Sequence, residues 1–359
     1  MGNLTGGRVA SPLTQKGEYR NMMKQSSRIV GCGIVAASLF FAVAPLCADD
    51  AKPYVARWAI TLPGGGAGWL GVEQAQDGKL SGSFLWGGGS PFRFETTAVQ
   101  DGKLVMTRTH KFKRDGQDVK QIETFTAVAD GDKLSFVVRK NEEDGKEVSK
   151  VEFVGKKIPD IPPKPDLSKL KFGTPVKLVD AGMASLDGVW EVMSNAFNGW
   201  SLKDGVLSNR VVGEDGKNKH GTNLRTVAKN FEDFNLKTEV NMAKNGNSGI
   251  YLRGIYEIQM ADTYDKPVNP HNMGALYGRI TPLVAAEKPA GEWQTVNITL
   301  CDRHVTVILN GQTIIDNQPV LGVTGGAITS DEFVPGPIYL QGDHTDVSYR
   351  NMVLTPIVK

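Results

Sequence analysis

Helix-length amphipathic periodicity is missing from this chain, and so is an excess of charge of either sign. No segment carries ten residues of apolar spacing at i, i+3, i+4 and i+7, which excludes α/β architectures. The 41 Lys and Arg nearly cancel the 39 Asp and Glu, for a net charge of +2. A protein built to hold nucleic acid needs a cationic surplus to neutralise phosphates, so that class is excluded. No Gly-rich strand-to-helix phosphate loop is present, so no organic cofactor is expected. Cysteine is scarce, with Cys32, Cys47 and Cys301 the only three. Cys301 reads as a small buried apolar residue at a strand end rather than a nucleophile. Glycine (41) and proline (18) are abundant and point to strands and turns. The 359 residues exceed the roughly 250–300 that one hydrophobic core spans, so two domains are expected.

Near the start, Lys24 and Arg28 precede an apolar run over 29–46, followed by Cys47-Ala48 and Asp49-Asp50. A basic start, an apolar middle and a small residue before a polar stretch make a secretory signal peptide over 1–48. Residues 1–21, ahead of Met22-Met23, read as a mis-assigned start. The 18-residue apolar run is marginal as an uncleaved anchor, and after cleavage no membrane span is expected. The expected location is therefore periplasmic or extracellular. Cleavage would leave 36 basic and 38 acidic residues and Cys301 as the only thiol, which precludes an intrachain disulfide.

The remainder divides at a proline-rich linker over 158–175, with Pro159, Pro162, Pro163, Pro165 and Pro175. Proline cannot donate to a sheet ladder, so this stretch is expected to run extended. Over 49–157, Asp-Gly pairs begin at Asp77, Asp101, Asp115, Asp130 and Asp144 and separate alternating runs such as 80–86, 104–109, 123–128 and 134–138. Asp-Gly between alternating runs is a strong hairpin signal. About eight short strands are predicted, forming a small antiparallel β-barrel or sandwich that serves as an accessory module. Trp58, Trp69 and Trp86 are assigned to its interior. The glycine triplets 64–66 and 87–89 beside the last two leave a sugar-stacking surface as the alternative.

Over 176–359 the alternation lengthens. Phe234, Leu236, Thr238, Val240 and Met242 share one face, and further strands are predicted over 293–300, 304–309 and 313–315. Strands of this length predict two antiparallel sheets packed face to face, so the whole chain reads as all-β. Over 250–262, Ile250, Leu252, Tyr256, Ile258 and Met260 share a face if extension persists through Gly254. Tyr251, Arg253, Glu257 and Gln259 then share the other. An Arg, a Glu and a Gln side by side suit a polar ligand, and a solvated outer face with an Arg–Glu cross-strand pair is the alternative.

Several motifs together resemble the 3-keto-disaccharide hydrolase family. They are Asn247-Ser248-Gly249-Ile250, Leu252-Arg253, Tyr256-Glu257-Ile258-Gln259 with Asp262, and Gly274-Ala275-Leu276-Tyr277-Gly278. Gly291-Glu292-Trp293, Asn310-Gly311, the run from Gly336 to Gln341 and Tyr349-Arg350-Asn351 follow in order, covering about 174–357. The resemblance implies a concanavalin-like (jelly-roll) β-sandwich in an exported bacterial carbohydrate-active enzyme. It also implies action on 3-keto-glycosides by C2 proton abstraction, elimination of the C1 substituent and hydration. The substrate's ketone would then come from a sugar dehydrogenase acting upstream. On motif positions, Glu257, Asp262 and His344 are the acid/base candidates, and Arg253, Gln259, Tyr277, Gln341 and Arg350 the substrate-binding candidates. For Arg350, pairing with a carboxylate to lock the sheet is equally plausible. Glu257, Asp262 and His344 together are also a candidate site for a divalent ion, although no tight ligand spacing supports it. Thr345 replaces a Gly common after the family's His, which leaves the loop conformation open. His271 reads as an ordinary surface-loop residue and His304 as an exposed strand residue. The competing reading of the whole chain is a non-catalytic glycan-binding or cell-envelope interaction protein.

Overall fold

Asp-Gly turns set the N-terminal architecture. Asp101 and Gly102 both take positive φ (49° and 72°), the mirror-image turn whose twist matches paired strands, and they join Thr96–Gln100 to Lys103–Arg114. In this computed structural model, residues 48–358 apart from 115 and 214 are described. Residues 1–47 of the signal peptide expected over 1–48, and the Asp115 turn residue, therefore lie outside the described residues. Among the described residues, a single helical turn, Ala48–Ala51, and one 3-10 turn, Leu167–Lys169, are the only departures from strands and loops.

The N-terminal half is a nine-stranded antiparallel meander. Its first strand, Arg57–Thr61, lies between Ala67–Gln74 and Glu147–Ile158. The edge strands, Phe92–Arg93 and Thr96–Gln100, are consecutive in the chain, and the bend between them closes the curl. Phe94 N–H donates to the Gly82 carbonyl at 3.0 Å and Glu95 N–H to the Thr107 carbonyl at 2.8 Å. The sheet is thus a barrel, which leaves no long open edge. Its core is aromatic, with Phe84 against Phe125, Phe136 stacked on Phe153, and Trp58 buried in the same cluster.

The tryptophan assignment holds for Trp58 alone. Side chains alternate along Ala67–Gln74, so Leu70 and Val72 point into the barrel while Trp69 points out, where it is buried against the C-terminal half. Arg279 stacks on its ring at 4.4 Å. Trp86 sits at the barrel rim, about one-third exposed, edge-on to Phe153.

Two sheets pack face to face in the C-terminal half. In one, the long strands Phe234–Met242, Trp293–Cys301 and Val347–Val358 lie side by side, and the short Lys171–Phe172 and Val176–Val179 also pair with the last of these. The other has five strands, in the spatial order Trp190–Val192, Leu224–Thr226, Tyr339–Leu340, Asn247–Leu252, Tyr256–Ala261. Phe234, Leu236, Val240 and Met242 point into the shared core, as their spacing predicts. The described residues, from 48 to 358, fall in one compact unit. The proline segment is strapped down rather than loose: the Pro165 carbonyl accepts from Asn317 at 2.9 Å and the Pro159 carbonyl from Arg57 at 3.3 Å.

Two histidine and cysteine expectations resolve here. Cys301 is buried at a strand end, as expected. His304 is buried rather than exposed. Its strand, His304–Leu309, is paired on both sides, and its Nδ1 lies 2.9 Å from the Asp302 carbonyl. Among the described residues, no helix is long and apolar enough to cross a membrane.

Candidate active site

The site is built on a hairpin. Asn247–Leu252 and Tyr256–Ala261 pair antiparallel with Tyr251 opposite Glu257 and Gly249 opposite Gln259. Arg253 and Gly254 both have positive φ (55° and 70°), and Ile255 N–H donates to the Leu252 carbonyl at 3.1 Å. The chain therefore turns at Gly254 instead of extending through it. That turn removes Arg253 from the face it was expected to share with Glu257. Its guanidinium is buried elsewhere and donates to the carbonyls of Glu332 (2.8 Å) and Val334.

A cavity of about 370 Å³ opens over the Glu257 face of this sheet, lined by Glu257, Tyr251, Tyr339, Gln341, Tyr277 and His344 among others. Glu257 is 3% exposed. The Tyr251 hydroxyl lies 2.9 Å from Glu257 Oε2 and 2.8 Å from the Gly325 carbonyl. Tyr251 stacks on Tyr339 from the adjacent strand, with ring centroids 4.0 Å apart and planes 12° apart. With its amide nitrogen turned toward Glu257, Gln259 donates to Oε1 at 3.2 Å and to the Ser248 carbonyl at 2.9 Å. Burial pushes the Glu257 carboxyl up to about 8, opposed by the Tyr251 hydroxyl and the nearby His344. Burial likewise pushes the Tyr251 hydroxyl far above its ordinary value, so it acts only as a hydroxyl.

His344 sits on the loop after Tyr339–Leu340. Its Nδ1 is held by the Asp343 carboxylate, which raises its pKa above the ordinary 6.5 and leaves Nε2 without that partner. The loop itself is tied down on both sides. Gly342 N–H donates to Asn223 Oδ1 at 2.8 Å, and Asn223 donates to the Tyr339 hydroxyl at 3.2 Å. Thr345 answers the question its sequence position raised. Its hydroxyl donates to the Asn247 carbonyl at 2.9 Å and accepts from Asn247 N–H at 2.7 Å, pinning the loop to the hairpin strand. Gln341 lines the cavity, and its Oε1 is buried with no protein hydrogen-bond partner among the described residues.

The model of the 3-keto-alpha-glucoside-1,2-lyase-like domain matches residues 174–355, which is 182 of 359 residues. The chain belongs to this family. It is therefore a glycosyl-hydrolase-like, carbohydrate-active protein, as the sequence motifs indicated. No curated protein sequence matches it significantly. Among solved structures, it is 26% identical to a protein of Parabacteroides distasonis assigned as a glycosyl hydrolase, over 55% of this chain and 93% of that one, with a TM-score of 0.39. A second protein assigned the same way in that organism is 20% identical over 47% and 89%, also at 0.39. The β-glucanase of Bacillus licheniformis is 14% identical over 51% and 98%, at 0.35.

Not every expected family position faces the cavity. Asp262 turns away, its Oδ2 accepting from Asn245 N–H at 2.7 Å to close the loop before the hairpin. The expected metal trio of Glu257, Asp262 and His344 is therefore not brought together. Three other potential ligands do converge: atoms of Asp233, Cys301 and Asp302 lie within 4.8 Å of one another, where Asp302 N–H donates to Asp233 Oδ1 at 3.0 Å. Arg350 forks onto Glu239 Oε2 (2.6 and 3.1 Å) and stacks on Trp293 at 4.1 Å, locking strands of the opposite sheet. Gln259 supports Glu257 from beneath and is not itself among the cavity-lining residues.

Tyr251, Tyr339, Asp343 and Asn223 were missed as site residues. A partial signal existed for three of them. Tyr251 shares the predicted face with Glu257, Tyr339 lies two positions from Gln341 and so on the same face, and Asp343 adjoins His344. Asn223 comes from a separate strand region and carries no local signal.

Proposed function

We propose that this chain is an exported enzyme that cleaves 3-keto-glycosides, using Glu257 and the Asp343–His344 pair as its proton-transfer groups. A ketone at C3 acidifies the C2 proton. Neutral His344 takes that proton at Nε2 while Asp343 holds the Nδ1–H, and the C2–H electrons flow into an enolate at C3. The enolate collapses and expels the C1 oxygen, which receives the Glu257 proton and departs as the alcohol. Water then adds to C1 of the resulting enone. Glu257 recovers its proton from that water and His344 returns its proton to C2, so the net reaction is hydrolysis. Gln341 and Tyr277 line the cavity and supply hydrogen-bonding groups toward the sugar ring. The ketone has to be made beforehand by a separate sugar dehydrogenase. Residues 1–48 supply the export signal.

The observation that carries this reading is the pair of opposed environments in one cavity. Glu257 is buried enough to stay protonated at neutral pH, and His344 is partly exposed with a carboxylate on its far nitrogen. A pure glycan binder needs neither, and its aromatics would form an exposed platform, whereas Tyr251 and Tyr339 are 1% and 3% exposed. The test is to incubate the purified protein with a 3-keto-glucoside and with its unoxidised parent. Release from the keto form alone is expected. Binding of either sugar without release would instead establish the non-catalytic glycan-binding role.

A further inference from the structure

One wall of the cavity comes from outside the family-matched sandwich. Gly88 and Gly89, in the barrel loop after Leu80–Trp86, line the cavity together with Glu257 and His344. Residues 87–90 lie well before position 174, where the family match begins. The two halves meet closely here. Gly326 N–H donates to the Gly87 carbonyl at 3.1 Å. A Cβ on Gly325 would overlap the backbone of Gly89, and one on Gly278 would overlap Ser90. Ser90 Oγ lies 2.7 Å from His271 Nε2, and the His271 ring sits edge-on to Tyr277 with centroids 5.0 Å apart. His271 is exposed in its loop, as expected, but it also has partners on both sides. It bridges a barrel serine to a cavity tyrosine.

We infer that the barrel segment 87–90 is a substrate-binding wall of this site, with Ser90 acting as the positioning residue that sets Tyr277 through His271. This inference rests on the reading of the cavity as a sugar site. Gly88 and Gly89 present only backbone and leave room for a sugar ring against them. Ser90 also bears directly on Tyr277: burial raises the Tyr277 hydroxyl, and the Ser90 hydroxyl opposes that rise. With this wall in place the cavity is near the small end of the roughly 300–1,000 Å³ usual for ligand pockets. The ligand it selects is a short glycoside rather than the interior of a long glycan. The barrel therefore supplies selectivity that the sandwich alone does not carry.

The test uses the full protein and the variants Gly88→Leu, Ser90→Ala and Ser90→Thr. A Cβ at Gly88 meets nothing within 4 Å and its φ is not positive, so leucine enters without strain and fills the space beside the ring. Gly88→Leu is expected to raise KM for a 3-keto-glucoside about tenfold with kcat nearly unchanged, the signature of lost ground-state and transition-state binding alike. Ser90→Ala is expected to lower kcat about tenfold and Ser90→Thr to restore it, with thermal midpoints unchanged in all three. Calorimetric binding of the keto-glucoside is read in parallel in a Glu257→Gln background, so the wall is tested even if turnover fails. Wild-type KM, kcat and binding constant in Gly88→Leu and Ser90→Ala would overturn the wall. Tight binding weakened by Gly88→Leu, but with no release by the parent, would sustain the wall and overturn the catalytic reading. No binding by the parent would overturn both.

Discussion

The Glu257 side chain lies across Gly249 on the neighbouring strand, and any Cβ at position 249 would overlap its Oε1. The glycine in the Asn247-Ser248-Gly249 motif is thus a slot for a carboxyl group. Gly249→Ala is expected to displace that carboxyl and cut turnover by about 10²-fold, the scale of losing one general acid. The fold should survive with a modest fall in thermal midpoint. Turnover within twofold of wild type would show that the carboxyl position is unimportant.

Glu257 also links catalysis to stability. Its folded-state pKa is raised from 4.5 to about 8, so the native state holds a proton that the unfolded chain releases. Stability contributed by this group is complete below about 4.5 and is lost as pH rises toward about 8, at up to roughly 1.4 kcal/mol per pH unit. Glu257→Gln keeps an amide in the slot but cannot ionise. It should abolish turnover yet gain thermal stability over wild type as pH rises from 5 to 8 (roughly the window between the two pKa values). Scanning calorimetry across that range checks the sign.

Turnover requires neutral His344 and protonated Glu257, so its pH profile should be bell-shaped, with the acidic limb above 6.5 and the alkaline limb near 8. These limbs belong to the coupled pair. Asp343→Asn removes the contact that raises His344 and should move the acidic limb down. Tyr251→Phe removes the hydroxyl that holds Glu257 down and should move the alkaline limb up. Limbs that stay in place in both variants would mean other groups transfer the protons.

Arg350 and Asp262 occupy family motif positions but face away from the cavity. Arg350→Ala is expected to leave kcat/KM within about twofold and to cost roughly 0–1 kcal/mol, since its pair with Glu239 is partly exposed. Asp262→Ala should likewise spare turnover while loosening the loop at Asn245. A large loss of kcat/KM in either would require a substrate path over the opposite sheet or the loop rim.

Strand period, turn chemistry and family motifs were legible along the chain because each is a local property. The alternation over 234–242 became the strand Phe234–Met242, and the run 80–86 became Leu80–Trp86. Local reading failed where one residue reverses direction. A single turn at Arg253-Gly254 moved the most prominent expected sugar ligand out of the site. Burial failed in the same way at His304 and Trp69, because the element that covers each arrives from distant sequence.

By itself, the sequence determined an all-β chain, the family of its second half, and the presence of Glu257, Gln341, Tyr277 and His344 on motif positions. Those follow from side-chain alternation and short motifs, which are written in neighbouring residues. Only the tertiary structure decided that Asp343, Tyr251 and Tyr339 complete the cavity, that Arg253, Asp262 and Arg350 do not, and that a barrel glycine loop walls it. Side-chain direction at a turn, and the burial that raises Glu257, depend on contacts between strands separated by tens to hundreds of residues.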